Sequence, residues 1–145
     1  MKVLKLTLLV VIMTAFIPTQ ANAKSIMLPK AYLCGFVANF SDSVIYVTDI
    51  QEIDSVWFDS KSKFLMSRSA YTSQLREYFF NKLNMTNRTC IVIFGMDRKK
   101  AEKKYTKLMK QYTGKYAGKY DVRHISESDF RFRAIEFFPE EKEKK

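Results

Sequence analysis

The chain has 145 residues, with 25 Lys and Arg against 15 Asp and Glu for a formal charge of +10, and 47% of it is apolar, including 12 Phe and 8 Tyr. So many aromatic and aliphatic side chains exclude a disordered chain, and 2 Cys, 4 Gly and 3 Pro exclude a disulfide-dense or loop-rich scaffold.

Residues 1–23 predict a cleavable signal peptide. Lys2 and Lys5 form a positive start, residues 6–17 are apolar except for Thr7 and Thr14, and Pro18 closes the run. Ala21-Asn22-Ala23 supplies the small-x-small cleavage pattern, with the cut after Ala23. The apolar run falls short of the ~20 residues of a membrane span. Cys34 lies beyond a polar stretch, so a lipoprotein signal is not expected either. The expected product is a soluble secreted or periplasmic protein. Without Lys2 and Lys5, 23 basic residues face the same 15 acidic ones, leaving +8. Residues 24–138 are long enough for one globular domain with its own core.

In residues 31–40, Tyr32, Cys34, Phe36, Ala38 and Phe40 alternate with Leu33, Gly35, Val37 and Asn39, the period of a strand. Ser41-Asp42-Ser43 is turn chemistry, and residues 44–50 read as a second strand completing an antiparallel hairpin. Residues 51–68 carry two apolar islands, Val56-Trp57-Phe58 and Phe64-Leu65-Met66, which fit a second hairpin or an ordered connection. Residues 69–83 predict a helix capped by Ser69, with Tyr71, Leu75, Tyr78 and Phe79 on one face and Phe80 opposite. The continuous apolar run at 90–94 predicts a central strand covered on both faces. Asp97 can cap a helix over 98–112 whose apolar stripe is Ala101, Tyr105, Leu108, Met109 and Tyr112, ended by Gly114 and Gly118. Residues 120–125 read as a strand. Residues 129–135 alternate Phe130, Phe132 and Ala134 with Arg131 and Arg133, as an edge strand or an arm laid on the domain. Residues 139–145 form a charged tail expected to be disordered. The expected fold is α+β, a mixed sheet with two main helices in the order β-β-α-β-α-β, with the strand after the first helix joined to the last by a right-handed crossover.

The clearest surface signal is Lys99, Lys100, Lys103, Lys107 and Lys110, opposite the apolar stripe of the second helix, extended by Lys115 and Lys119. Such a face suits a polyanion, but its spacing is also that of any amphipathic surface helix with a solvated side. No aromatic interleaves these lysines, so base stacking is not indicated, and export excludes intracellular nucleic acid as partner. An anionic glycan, a lipid headgroup or an envelope protein remain as partners. Asp49, Glu52, Asp54 and Asp59 form an acidic stretch without calcium-loop spacing. His124 is the one histidine, and Cys34 or Cys90 would be its only thiol nucleophile. Outside the cytosol Cys34 and Cys90 could bridge, or stay as buried thiols. No phosphate loop, metalloprotease or serine-hydrolase motif occurs, and no metal or cofactor is expected. Trp57, Phe58 and Phe80 would mark a binding face if exposed together. Asn39, Asn84 and Asn87 match the glycosylation pattern.

The apolar strand from Cys90 to Phe94, a short turn, a helix carrying Ala101 and Leu108, and a return strand from Tyr120 to Arg123 resemble half of a SPOR-type domain. That resemblance covers under a third of the exported chain and implies a ferredoxin-like fold that binds peptidoglycan glycan strands. The whole chain is also similar to small exported bacterial proteins of unknown function, which implies no activity. The reading that follows is a non-enzymatic binding or envelope-associated module. The alternatives are a small exported hydrolase using His124, or an assembly component that adds residues 127–138 to a partner's sheet edge.

Overall fold

A computed structural model describes residues 24–137; the expected signal peptide and the tail at 139–145 lie outside the described residues. The strands are β1 (Ser25–Ala38), β2 (Val44–Thr48), β3 (Gln51–Asp59), β4 (Thr89–Gly95) and β5 (Asp121–Ile125). The helices are α1 (Arg68–Asn81) and α2 (Arg98–Lys110), and a π-helical turn, Gln111–Lys115, continues α2. The α+β class and the mixed sheet agree with the sequence.

β1 organises the sheet. Residues 32–38 pair antiparallel with β4, while residues 25–33 pair antiparallel with β3 and Phe36 and Val37 with β2. The double pairing of Tyr32, Leu33, Phe36 and Val37 puts β4 on one edge of β1, and β2 and β3 end to end on the other. β5 then adds parallel to β2. Phe36 faces Val47 and Leu33 faces Gln51, so three steps on β1 match four on its partner, and the extra residue bulges at Asp49-Ile50. Thr48 closes the gap: its Oγ1 accepts from Gly35 N–H at 2.7 Å and donates to Asp49 O at 3.0 Å.

The strand at 90–94 is therefore not central, as expected, but the free edge; β1 is central. Its unbroken apolar run reflects apolar contacts on both faces rather than pairing on both sides, and the cover is unequal: Cys90 and Val92 are buried, Ile93 is half-buried and Ile91 is exposed. Cys90 and Val92 face α1, whereas Ile93 packs toward α2. β1 also starts six residues earlier than its alternation indicates. The pattern changes phase at Pro29-Lys30, where Ser55 opposite takes a left-handed φ of 54°. Ile26 and Leu28 thus reach the same core as Ala31 and Leu33 despite the broken period. Val56 and Phe58 lie in β3, and Phe58 bridges Leu65, so the open segment at 51–68 is a long strand with a short return.

The two helices cover opposite faces. Tyr71, Leu75 and Phe79 of α1 join Leu33, Val37, Tyr46, Phe58 and Val92 in the larger core. Gly35 lets α1 approach, since a Cβ there would lie 2.6 Å from Leu75 Cδ2. Tyr105, Leu108, Met109 and Tyr112 of the α2 segment cover a smaller cluster of Phe36, Ile45 and Val47. α1 is entered through Ser67, not Ser69, and Ser67 makes no side-chain cap.

The segment at 129–137 is the arm laid on the domain. Phe130 and Phe132 are buried in the larger core. Gln51, itself fully buried, donates from Nε2 to Phe130 O at 2.8 Å and accepts from Phe132 N–H at 2.7 Å. Gln74 makes the same double contact with Arg133, both at 2.8 Å. Two side-chain amides thus replace a strand ladder. Of the segment expected to add to a partner's sheet, Phe130 and Phe132 and the backbone groups of Phe130, Phe132 and Arg133 are used inside the domain.

Candidate functional site

α2 starts cleanly because Asp97 accepts from Lys100 N–H at 2.8 Å. Its first turn sits directly on β4, where a Cβ on Gly95 would meet Ala101 N at 2.5 Å. With Ala101, Tyr105 and Leu108 turned to the sheet, the 3.6-residue period places the lysines outward. Lys99, Lys103, Lys107 and Lys110 line one open surface of the helix. All are exposed, and among the described residues none is within ion-pair distance of an acid. Lys100 stands apart, 3.8 Å from Asp97 and beside Lys104.

Between this ridge and the free edge of β4 runs an apolar groove of about 560 Å³, lined by Phe36, Phe64, Ile91, Phe94, Leu108 and Tyr112. Two carbonyls on the open side of β4 are closed by basic side chains. Lys104 Nζ donates to Phe94 O at 2.8 Å and Arg68 Nη2 to Val92 O at 3.2 Å. Both cations also lie over the Phe94 ring. Burial and the charges of Arg68 and Lys100 lower the Lys104 pKa. The sequence did not separate Lys104 and Arg68 from the other cations, because their role depends on which strand is the edge. Basic residues so placed protect an edge against strand addition.

His124 is not isolated. On β5 it faces the bulge, where its Nε2 meets Asp49 Oδ1, and Asp49 Oδ2 accepts from Glu127 N–H at 3.0 Å. The Glu127 amide first, and then His124, hold the Asp49 carboxyl below its ordinary range. Arg98, Tyr105 and Glu127 complete a small open cleft. No sequence spacing reveals this pair, 75 residues apart. Among the described residues, no Ser, Thr or Cys lines the cleft. Cys34 is fully buried and burial pushes its thiol up to about 12, the reverse of an activated nucleophile.

Cys34 and Cys90 are both free and buried, which corrects the candidate disulfide. Cys34 lies opposite Ile93 and Cys90 opposite Val37, and odd and even positions of β1 face opposite sides. The sheet itself separates the thiols. The acidic stretch is also dispersed. Asp49 holds His124, Glu52 pairs with Lys30 at 2.7 Å, and Asp59 caps its turn through Lys61 and Ser62 N–H. Among the described residues no group of three or more His, Cys, Asp or Glu gathers as a metal site. Trp57, Phe58 and Phe80 form no shared platform: Phe58 is core, Trp57 lies against Phe137, and Phe80 is exposed. Asn84 and Asn87 occupy left-handed backbone, a conformation that asparagine tolerates.

No helix among the described residues is long and apolar enough to cross a membrane. Compared with known proteins, the chain matches no family model, no curated protein and no solved structure.

Proposed function

We propose that this chain is an exported, non-enzymatic binding module that engages an anionic partner of the cell envelope through the lysine ridge of α2. The observation that carries this reading is the row Lys99, Lys103, Lys107 and Lys110, exposed and without acidic partners among the described residues. An acid three or four positions from a helix lysine would pair with it and lower the local potential. Here Glu102 is the one acid within α2, and it pairs with Arg98 at 3.6 Å. The field of the ridge is therefore left for something outside the domain. Retention on immobilised heparin, as a model polyanion, tests this. The salt needed for elution should fall steeply when Lys103, Lys107 and Lys110 are changed to Glu. Unchanged retention with an intact fold overturns the reading.

A hydrolytic second reading has the Asp49–His124 pair in its favour. With no aligned nucleophile in the cleft, it reduces to His124 acting as base toward water. A hydrolase screen of the wild type and His124→Ala decides it, and no turnover lost with His124 removes it.

A further inference from the structure

We infer that the anionic partner is a lipid bilayer, and that the domain meets it end-on with Phe40 as an interfacial anchor. This rests on the proposed binding of an anionic partner and names its class. The topology brings one set of termini to a single end of the sheet. Ala38, the last residue of β1, pairs with Thr89, the first of β4, and Val44, the first of β2, pairs with Asp121, the first of β5. Asp121 N–H also donates to Ser43 O at 2.8 Å. The turn at 39–43 and Tyr120 therefore adjoin.

At that end Phe40 is 99% exposed. It is not on a loose loop. Asn39 Oδ1 accepts from Ser41 N–H at 3.0 Å and Asp42 Oδ1 from Val44 N–H at 3.0 Å. The nearly buried Arg88 then ties down Asp42 at 2.7 Å and Val44 O at 3.2 Å. A pinned turn that holds a whole phenyl ring in water gains nothing from it within the domain. At the Tyr120 end that adjoins this turn, Tyr112, Tyr116 and Tyr120 pack with centroids 5.2–6.1 Å apart. Lys115 and Lys119 lie 5.3 and 5.7 Å from the Tyr116 ring, and Lys110 ends α2 where the turn carrying Tyr112 and Lys115 begins. Among the described residues these three lysines make no ion pair.

A projecting phenylalanine, a tyrosine belt and unpaired lysines are the three elements of interfacial anchoring. The ring enters the acyl boundary, tyrosines sit at headgroup level, and lysines attract anionic lipid. A protein partner would need a pocket shaped to the projecting ring, whereas a bilayer yields to it. The lysines supply the charge complementarity that selects anionic lipid.

The test is flotation of the chain from Lys24 onward, which contains every element described, with vesicles of phosphatidylcholine alone or mixed with phosphatidylglycerol. Binding should require phosphatidylglycerol. Phe40→Ala should weaken it about tenfold, in line with burial of part of one aromatic side chain. Lys115→Glu with Lys119→Glu should abolish it. Phe40→Trp should bind and show an emission blue shift that Trp57 alone does not give. Absence of binding to phosphatidylglycerol vesicles overturns the inference, as does binding indifferent to Phe40 and to Lys115 and Lys119. The ridge is scored apart by Lys99→Glu with Lys103→Glu. Heparin retention lost in that variant, with vesicle binding indifferent to Phe40, would leave the anionic-partner reading standing and remove the bilayer. All positions changed are exposed, so thermal unfolding should stay near wild type.

Discussion

Phe132 is tied to Gln51 by a 2.7 Å hydrogen bond from its backbone N–H to the side-chain oxygen, although the two are 81 positions apart. The nitrogen of the same amide reaches Phe130 O. One fully buried side chain thus satisfies two backbone groups that have no strand beside them. Gln51→Leu should destabilise the domain by about 2–4 kcal/mol, since it leaves a donor and an acceptor unpaired in the core. Urea unfolding would show the lower midpoint, and limited proteolysis should cut first within residues 126–137. A midpoint equal to wild type would mean that the arm is held by its phenylalanines alone.

Two glycines give an ordered pair of predictions. A Cβ at Gly35 meets the flexible end of Leu75, whereas a Cβ at Gly95 meets the backbone nitrogen and Cα of Ala101 at 2.5 and 2.9 Å. Leu75 can turn aside; the first turn of α2 can move only as a body. Gly95→Ala should therefore cost about 1–3 kcal/mol and more than Gly35→Ala. Thermal unfolding of both variants would reveal the order, and a larger loss at Gly35 would contradict it.

The carboxyl of Asp49 titrates below its ordinary value because Glu127 N–H and then His124 favour its charged form. A carboxyl lowered on folding stabilises fully above its unfolded pKa of about 3.9, and that contribution is lost as pH falls through the folded value. The stability difference between wild type and Asp49→Asn should therefore hold above about pH 5 and shrink toward pH 3. Partial exposure of the pair keeps the effect small. Urea titrations at a series of pH values test this, and a difference that grows on acidification would reverse the assignment.

The cysteine placement makes a chemical prediction. Native protein should react slowly with a thiol reagent, because burial raises both thiols. Unfolded without reductant, it should yield two thiols per chain. A count of zero would require a bridge through the sheet.

Much of this fold was legible because local rules govern it. α2 was readable from Asp97, the Ala101-to-Tyr112 stripe and the outward lysines, all of which lie within one stretch of chain. What escaped the sequence depends on pairing. The run at 90–94 signals apolar contacts on two faces, and an edge strand between two helices meets that pattern even with Ile91 left exposed. The first half of β1 was hidden by the phase change at Pro29 and Ser55. The amphipathic α1 stripe was clear, but the arm that crosses it is held by Gln51 and Gln74, whose role no periodicity encodes. Of the candidate site, the lysines were legible and their setting was not. The Asp49–His124 contact, the closed carbonyls of β4 and the meeting of the 39–43 turn with the start of β5 all arise from segments distant in the chain.

The division of the hydrophobic interior by the sheet has a kinetic side. α1 and the terminal arm share the larger cluster, while α2 rests on Phe36, Ile45 and Val47 with a few partly covered neighbours. Native-state opening should therefore be stepwise, with the amides of α2 exchanging with solvent by partial openings while those of β1 exchange only on global unfolding. The lysine-bearing side of the molecule is then its softer half, able to loosen and reseat while the strand that all the others depend on stays in place.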